Sequence, residues 1–371
     1  MTFWETIRNR WQAPAVHYTF LWIAPENVEV DGKKPVPEQI TSGEKYFRFW
    51  LAEMFLKNDR EWGTTWHPAV MCSVKLRFGN KEQEISHVAG ESALKDFDLK
   101  KLNRNVSVNH EITTLLPFNG GTIALEAALA AMEGKNDVKG LLNVLGKFSK
   151  LLVVPQLSSV LAVAAPLAEG VSELVGASNG RMELRLQNTW TGTGTSGGNV
   201  LRSGYFAVIS AEDGEIDPAK LSVKDHQLYL AGSHLTGYHY MLFRVDVTGT
   251  RDDFDSLTSI SEPYSQALEM LSNAANQDDE ELRAKMRKEA DKRYNAARLA
   301  AFRAPELTTV VGKNQVLEAL ERRWKLAGEQ IGKQGAFSED FSKTLKDAMR
   351  NPISAQEARD RGEPNEQDLW G

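Results

Sequence analysis

"HPAVMCSVKLRFGNKEQEISHVAG", residues 67 to 90, sorts its side chains by turns. Val70, Cys72, Val74, Leu76 and Phe78 fall on one side, and Met71, Ser73, Lys75 and Arg77 on the other. A period of two is that of a strand with one face buried. Gly79-Asn80 supplies turn chemistry before "EQEISHVAG", so the stretch reads as a β-hairpin. The same alternation runs through most of Pro14 to Phe118, including "NVSVNHEITTLLPF", where Val106, Val108, His110 and Ile112 share a face. One interruption, "TSGEKYFRFWLAEMFLKN", has capping-box spacing at Thr41 and Glu44 and Tyr46, Trp50 and Met54 at every fourth position, so a helix is expected there.

After Phe118 the period lengthens. "GGTIALEAALAAMEG" and "DVKGLLNVLGKFSKLL" are rich in alanine and leucine and read as helices, Val138, Leu141, Leu142 and Leu145 giving the i, i+3, i+4, i+7 pattern. "LLVVPQLSSVLAVAAPLAEGVSELVG", residues 151 to 176, carries no charge through Ala168. Pro155 and Pro166 divide it, and Gln156, Ser158 and Ser159 add polar cost, which argues against a bilayer span and for an internal helical layer. Strands return in "RMELRLQNTW", "VLRSGYFAVIS", "KLSVKDHQLYL" and "GYHYMLFRVDV". Strands, then helices, then strands imply an α+β chain: an antiparallel β-sandwich over residues 1–260 with a helical insertion at about 120–176.

From Ser261 the strand pattern is gone, and a C-terminal helical region is expected to about residue 350. "DDEELRAKMRKEADKRYNAARLAAFR" opens on acids and ends on basic residues, the polarity that complements a helix dipole. Leu282, Met286, Ala290, Tyr294 and Ala297 make a narrow apolar stripe along it. A further helix is expected at about Lys313 to Lys333, burying Val316, Leu317, Leu320 and Trp324, and residues 351–371 read as a flexible acidic tail bearing the isolated pair Leu369-Trp370.

Composition narrows the function. The 371 residues are 42% apolar, enough for a core, and 44 basic against 50 acidic side chains leave a net charge of −6, which disfavours nucleic acid as a partner. A single cysteine excludes an intrachain disulfide and a cysteine-rich zinc module, which suits a reducing cytoplasm. "MTFWETIRNRWQAP" lacks the apolar run of a signal peptide, so the acceptor pattern Asn105-Val106-Ser107 is read as chance.

Each catalytic template lacks its context. "GTGTSG" at 192–197 satisfies G-x-G-x-x-G, yet a strand follows where a dinucleotide site needs a helix N-terminus. Cys72 lies in the apolar register of its strand, and His67 beside it sits before Pro68, so a buried hydrophobe is expected, not a nucleophile. His226, His234 and His239 cluster in sequence without a zinc motif; His239 is expected to be a hydrogen-bonded core histidine. Two acidic loops, with Glu212, Asp213, Glu215 and Asp217 in one and Asp246, Asp252, Asp253 and Asp255 in the other, would hold Ca²⁺ only if they met; Asp213, Asp217, Asp252 and Asp253 are the weak candidates. Lys285, Lys288 and Lys292 are interleaved with acids and read as a solvated face. No cofactor is expected.

The function expected from these features is a non-catalytic protein-binding or scaffold component of a bacterial-type, cytoplasmic multiprotein system. Its partner, another protein, would be engaged through Leu369, Trp370, Leu282, Met286 and Tyr294. Two alternatives belong to other classes: a membrane-acting effector that releases the 120–176 helices on a conformational change, and an enzyme whose site is assembled from distant residues.

Overall fold

The computed structural model describes residues 17–57, 60–61, 64–78, 81–90, 105–133, 180–193, 199–251, 257–334 and 353–369. The chain is an α+β protein with an antiparallel sandwich core and a C-terminal helical extension, and it divides into two compact units. The strands in order are β1 (Thr19–Trp22), β2 (Val28–Glu29), β3 (Tyr46–Phe55), β4 (Arg60–Glu61), β5 (Thr64–Phe78), β6 (Lys81–Gly90), β7 (Asn105–Glu111), β8 (Leu116–Pro117) and β9 (Thr122–Glu133). After them come β10 (Arg181–Thr191), β11 (Gly204–Ile209), β12 (Leu221–Lys224), β13 (Gln227–Leu230), β14 (Ser233–His234) and β15 (Tyr240–Thr248).

The first unit takes residues 1–41, 47–116 and 120–247. Its six-stranded sheet runs β1-β11-β15-β3-β7, with β8 also on β3; its five-stranded sheet runs β10-β9-β5-β4, with β6 also on β5. The expected hairpin is present, β5 pairing β6 from Ala69↔Gly90 to Phe78↔Lys81. Between the two sheets sits an aromatic cluster built on Trp190 of β10, whose ring centroid lies 5.9 Å from Phe49, 5.6 Å from Phe206 and 6.4 Å from Phe20. A third, four-stranded sheet, β14-β13-β12-β2, packs Val28, Leu221, Val223 and Leu228 against Ala207, Ile209, Tyr240 and Leu242 of the six-stranded sheet.

Two helices expected from the sequence are strands. The stretch read as a helix from Thr41 is β3, and the alanine-rich run after Gly121 is β9. Both are buried along nearly their whole length, so no polar face alternates with the apolar one and the strand period is erased. In β3 a register shift between Leu51 and Glu53 adds a second disturbance: it turns Glu53 and Phe55 to the side that Arg48 and Trp50 already occupy. The rest of the expected insertion, residues 134–179, with the 151–176 segment, lies outside the described residues.

The second unit takes residues 42–46, 117–119 and 248–371. Its helices are α1 (Thr258–Ala275), α2 (Glu280–Arg303), α3 (Val311–Gln334) and α4 (Ala355–Asp360). Asp279 caps α2 by accepting from the Glu281 and Leu282 amides, with Glu280 and Glu281 in the first turn and Arg303 in the last, as the charge polarity implied. The core joins Ile260, Tyr264 and Ala267 of α1 to Tyr294, Ala297 and Ala301 of α2 and to Val316 and Leu320 of α3. Tyr294 stacks on Trp324 at 4.6 Å and 3°.

Residues 351–371, expected to be a flexible tail, fold back over their described part. Asn314 of α3 donates to the Ala358 and Gly362 carbonyls at 3.0 and 2.7 Å, and Gln315 donates to that of Ile353 at 3.0 Å. Asn314 thus supplies a partner for carbonyls in and just past the last turn of α4, Gln315 one for the residue before its N-cap, and Ser354 and Glu357 close its N-terminal end as a capping box.

At the head of α3 the Gly312 amide donates to Thr308 Oγ1 at 2.7 Å, and a Cβ added at Gly312 would collide with the Tyr46 hydroxyl. Gly312→Ala is therefore expected to cost ~1–3 kcal/mol through overpacking, read as a lower denaturation midpoint. Trp190→Ala is expected to cost more, ~3–5 kcal/mol, by emptying the aromatic cluster.

Candidate functional site

The four-stranded sheet covers only one end of the six-stranded sheet's second face. Along β15, Tyr240, Leu242, Arg244 and Asp246 point the same way by alternation; the first two are under cover and the last two partly exposed. Arg48 and Trp50 of β3 complete the uncovered end, and Tyr205 of β11, the register partner of Arg244, lies buried at its edge.

There the side chains converge on one carboxylate. Asp246 accepts from Trp50 Nε1 at 2.6 Å and from the Arg48 and Arg244 guanidinium groups at 3.3 Å each. The two guanidinium carbons lie 4.7 and 4.2 Å from the Trp50 ring centroid. Glu111, the register partner of Trp50 on β7, stands 3.6 Å from Arg48. Two arginines and two acids leave the patch neutral, and cation–π contacts with a shared acceptor hold the indole in one pose.

The covered end holds a buried polar network. The fully buried Glu53 carboxylate accepts from the Leu228 amide at 2.8 Å and from His234 Nε2 at 2.9 Å, and the Tyr240 hydroxyl lies 3.2 Å from that same nitrogen. Tyr240 stacks on Phe55 at 5.4 Å, and burial, with Glu53 beside it, pushes its phenol far up. A carboxylate beside an imidazole is the pair that acid–base catalysis uses. Here the Glu53 carboxylate is closed off from solvent and spent on tying β13 and β14 to β3, which is a structural task.

The sequence-chosen residues scatter. Asp217 caps a short 3-10 turn and pairs with Lys220 at 3.4 Å, and Asp213 is exposed in a turn. Asp246 belongs to β15 and is engaged by Trp50 and both arginines, while Asp252, Asp253 and Asp255 lie outside the described residues. Among the described residues there is no group of three or more His, Cys, Asp or Glu able to hold a metal ion.

His239 is half-buried, its Nδ1 accepting from the Lys57 amide at 3.2 Å, and Cys72 is fully buried with its thiol pushed up by burial. Of "GTGTSG", only Gly192 and Thr193 are described; β11 follows at Gly204, with no helix between among the described residues.

The expected partner-binding residues also divide. Tyr294 is core, buried against Trp324, which corrects its assignment to a docking stripe. Leu282 is 41% exposed, and Met286, one turn on, is partly exposed. Leu369 ends a 3-10 turn, and Trp370 lies outside the described residues. No helix among the described residues is long and apolar enough to cross a membrane.

Comparison with known protein families, with curated proteins and with solved structures returns no match.

Two predictions follow from the polar groups. Removing the buried carboxylate by Glu53→Ala strands the Leu228 amide and His234 Nε2 and is expected to cost ~3–5 kcal/mol, measurable by urea denaturation. His110, His226 and His239 are all held below the ordinary imidazole value of 6.5, chiefly by burial. The unfolded chain then binds more protons in mild acid than the folded one, so stability is full above that value and declines as pH falls through the lowered ones. Thermal midpoints are expected to drop from neutral pH to about pH 5, and less so in His110→Gln.

Proposed function

We propose that this chain is a protein-binding component of a multiprotein assembly, and that it docks another protein on the face formed by Arg48, Trp50, Arg244 and Asp246. The observation that carries the reading is the held, half-exposed Trp50 ring with two arginines at its side. Tryptophan and arginine are the residues most enriched at interface hot spots, and a ring already fixed in place loses little entropy on binding. Neutral charge on the patch suits a partner that contributes apolar and aromatic surface at the centre and polar groups at the rim. Leu282 and Met286 on α2 are a separate, smaller apolar pair available to the same class of partner.

The test compares tagged wild type with Trp50→Ala and Arg244→Ala purified from the cells that make the protein, with circular dichroism to confirm folding. A protein retained in stoichiometric amount by wild type and weakened by ~30-fold or more in Trp50→Ala is the expected result. Equal retention by all three variants would move the docking site off this face. Elution of the wild type alone would overturn the binding reading.

A further inference from the structure

His226 sits where the docking face meets the β12–β13 hairpin. Asp225 and His226 form its two-residue turn, both with positive φ, 46° and 68°. That is the conformation a tight hairpin of this kind requires at both central positions. Asp225 Oδ1 accepts from the Asp31 amide at 3.1 Å, which anchors the turn to the loop after β2. The strained turn holds the imidazole so that Nδ1 lies 2.6 Å from the Tyr205 hydroxyl.

Burial pushes the Tyr205 phenol up to about 12, so it keeps its proton at any ordinary pH. Among the described residues the acceptor within reach of that proton is His226 Nδ1, which makes the ring neutral and protonated at Nε2. Arg244, the cross-strand register partner of Tyr205, lies 4.2 Å from the Trp50 ring and bonds Asp246.

We propose that protonation of His226 relaxes the docking face: it removes the acceptor of the Tyr205 proton, loosens Arg244 and so frees Trp50. A proton on Nδ1 points a donor at the phenol oxygen and leaves the phenol proton without its acceptor, beside Arg244 across the ladder. It also sets a positive charge beside Arg244. The charged and titratable groups facing the imidazole are Arg244 and Asp246 on β15, Tyr205 on β11, Asp225 in its own turn and Asp31 in the neighbouring loop. Burial and Arg244 favour the neutral ring, and the three aspartates oppose them, with the balance toward neutral. The face is therefore held firm at neutral pH and relaxes in mild acid.

This inference rests on reading the face as the docking surface, yet its test needs no partner. Full-length protein labelled with fluorotryptophan is titrated between about pH 5 and 8, the range in which histidine ionises, with the Trp50 resonance assigned by its loss in Trp50→Phe. The expected result is a Trp50 shift with a midpoint below 6.5, the ordinary imidazole value, absent in His226→Gln and kept in His110→Gln. Tyr205→Phe is a second break in the same contact that leaves the imidazole intact; the Trp50 shift is expected to shrink there too. A Trp50 resonance that ignores pH, or that titrates unchanged in both His226→Gln and Tyr205→Phe, would overturn the switch and leave the docking reading standing. Partner capture unaffected by Trp50→Ala would remove the docking reading without touching the titration.

Discussion

Strand β3 must be covered on both sides, and most of the first unit is arranged to do it. One side packs Phe49 against Trp190 of the second sheet. The other carries Ala52 and Phe55 into the core beneath the four-stranded sheet. Because that third sheet is small, with strands of two to four residues, it runs out before β3 does. What it fails to cover must survive contact with water, and Arg48, Trp50, Arg244 and Asp246 do so by satisfying one another. The candidate docking face is thus the unfinished end of a packing problem. Its residues differ from the buried end of the same row in being partly exposed.

The parts of the fold legible in the sequence are those where polar residues still alternate with apolar ones or mark an end. β10 and the second half of β15 alternate in burial, β5 alternates in sequence through Ser73, Lys75 and Arg77 although Ala69 to Val74 are buried on both faces, and α2 announces its ends by charge. β3 and β9 were hidden because burial on both faces removes the alternation, and the irregularity after Leu51 shifts what remains. Misreading β3 also hid the site. Residues two apart lie about 200° apart around a helix but on the same face of a strand. Arg48 and Trp50 therefore look unrelated until β3 is extended, and Arg244 and Asp246 then join them across the ladder. Asp246 had been grouped with loop acids for the same reason: sequence neighbourhood stood in for spatial neighbourhood.

Buried and half-buried polar groups fall into two kinds here. Glu53 joins elements through two donors and is closed to solvent. Asp246 collects three donors at the rim, where a partner can reach the groups it holds. The same chemistry gives rigidity in the first place and a presented surface in the second; exposure decides between them.

The second unit draws on residues 42–46 and 117–119 as well as on 248–371. Tyr46 accepts from the Thr308 amide and occupies the space beside Gly312, and Glu44 pairs with Arg359 at 2.9 Å. The helical extension is consequently not a module that can be cut off at residue 248 and moved to another protein. A fragment so made would carry its helices and their caps but would lack the tyrosine around which α3 begins. In engineering terms the boundary is a thread that passes through the helical unit three times, and any transplant must take all three passes.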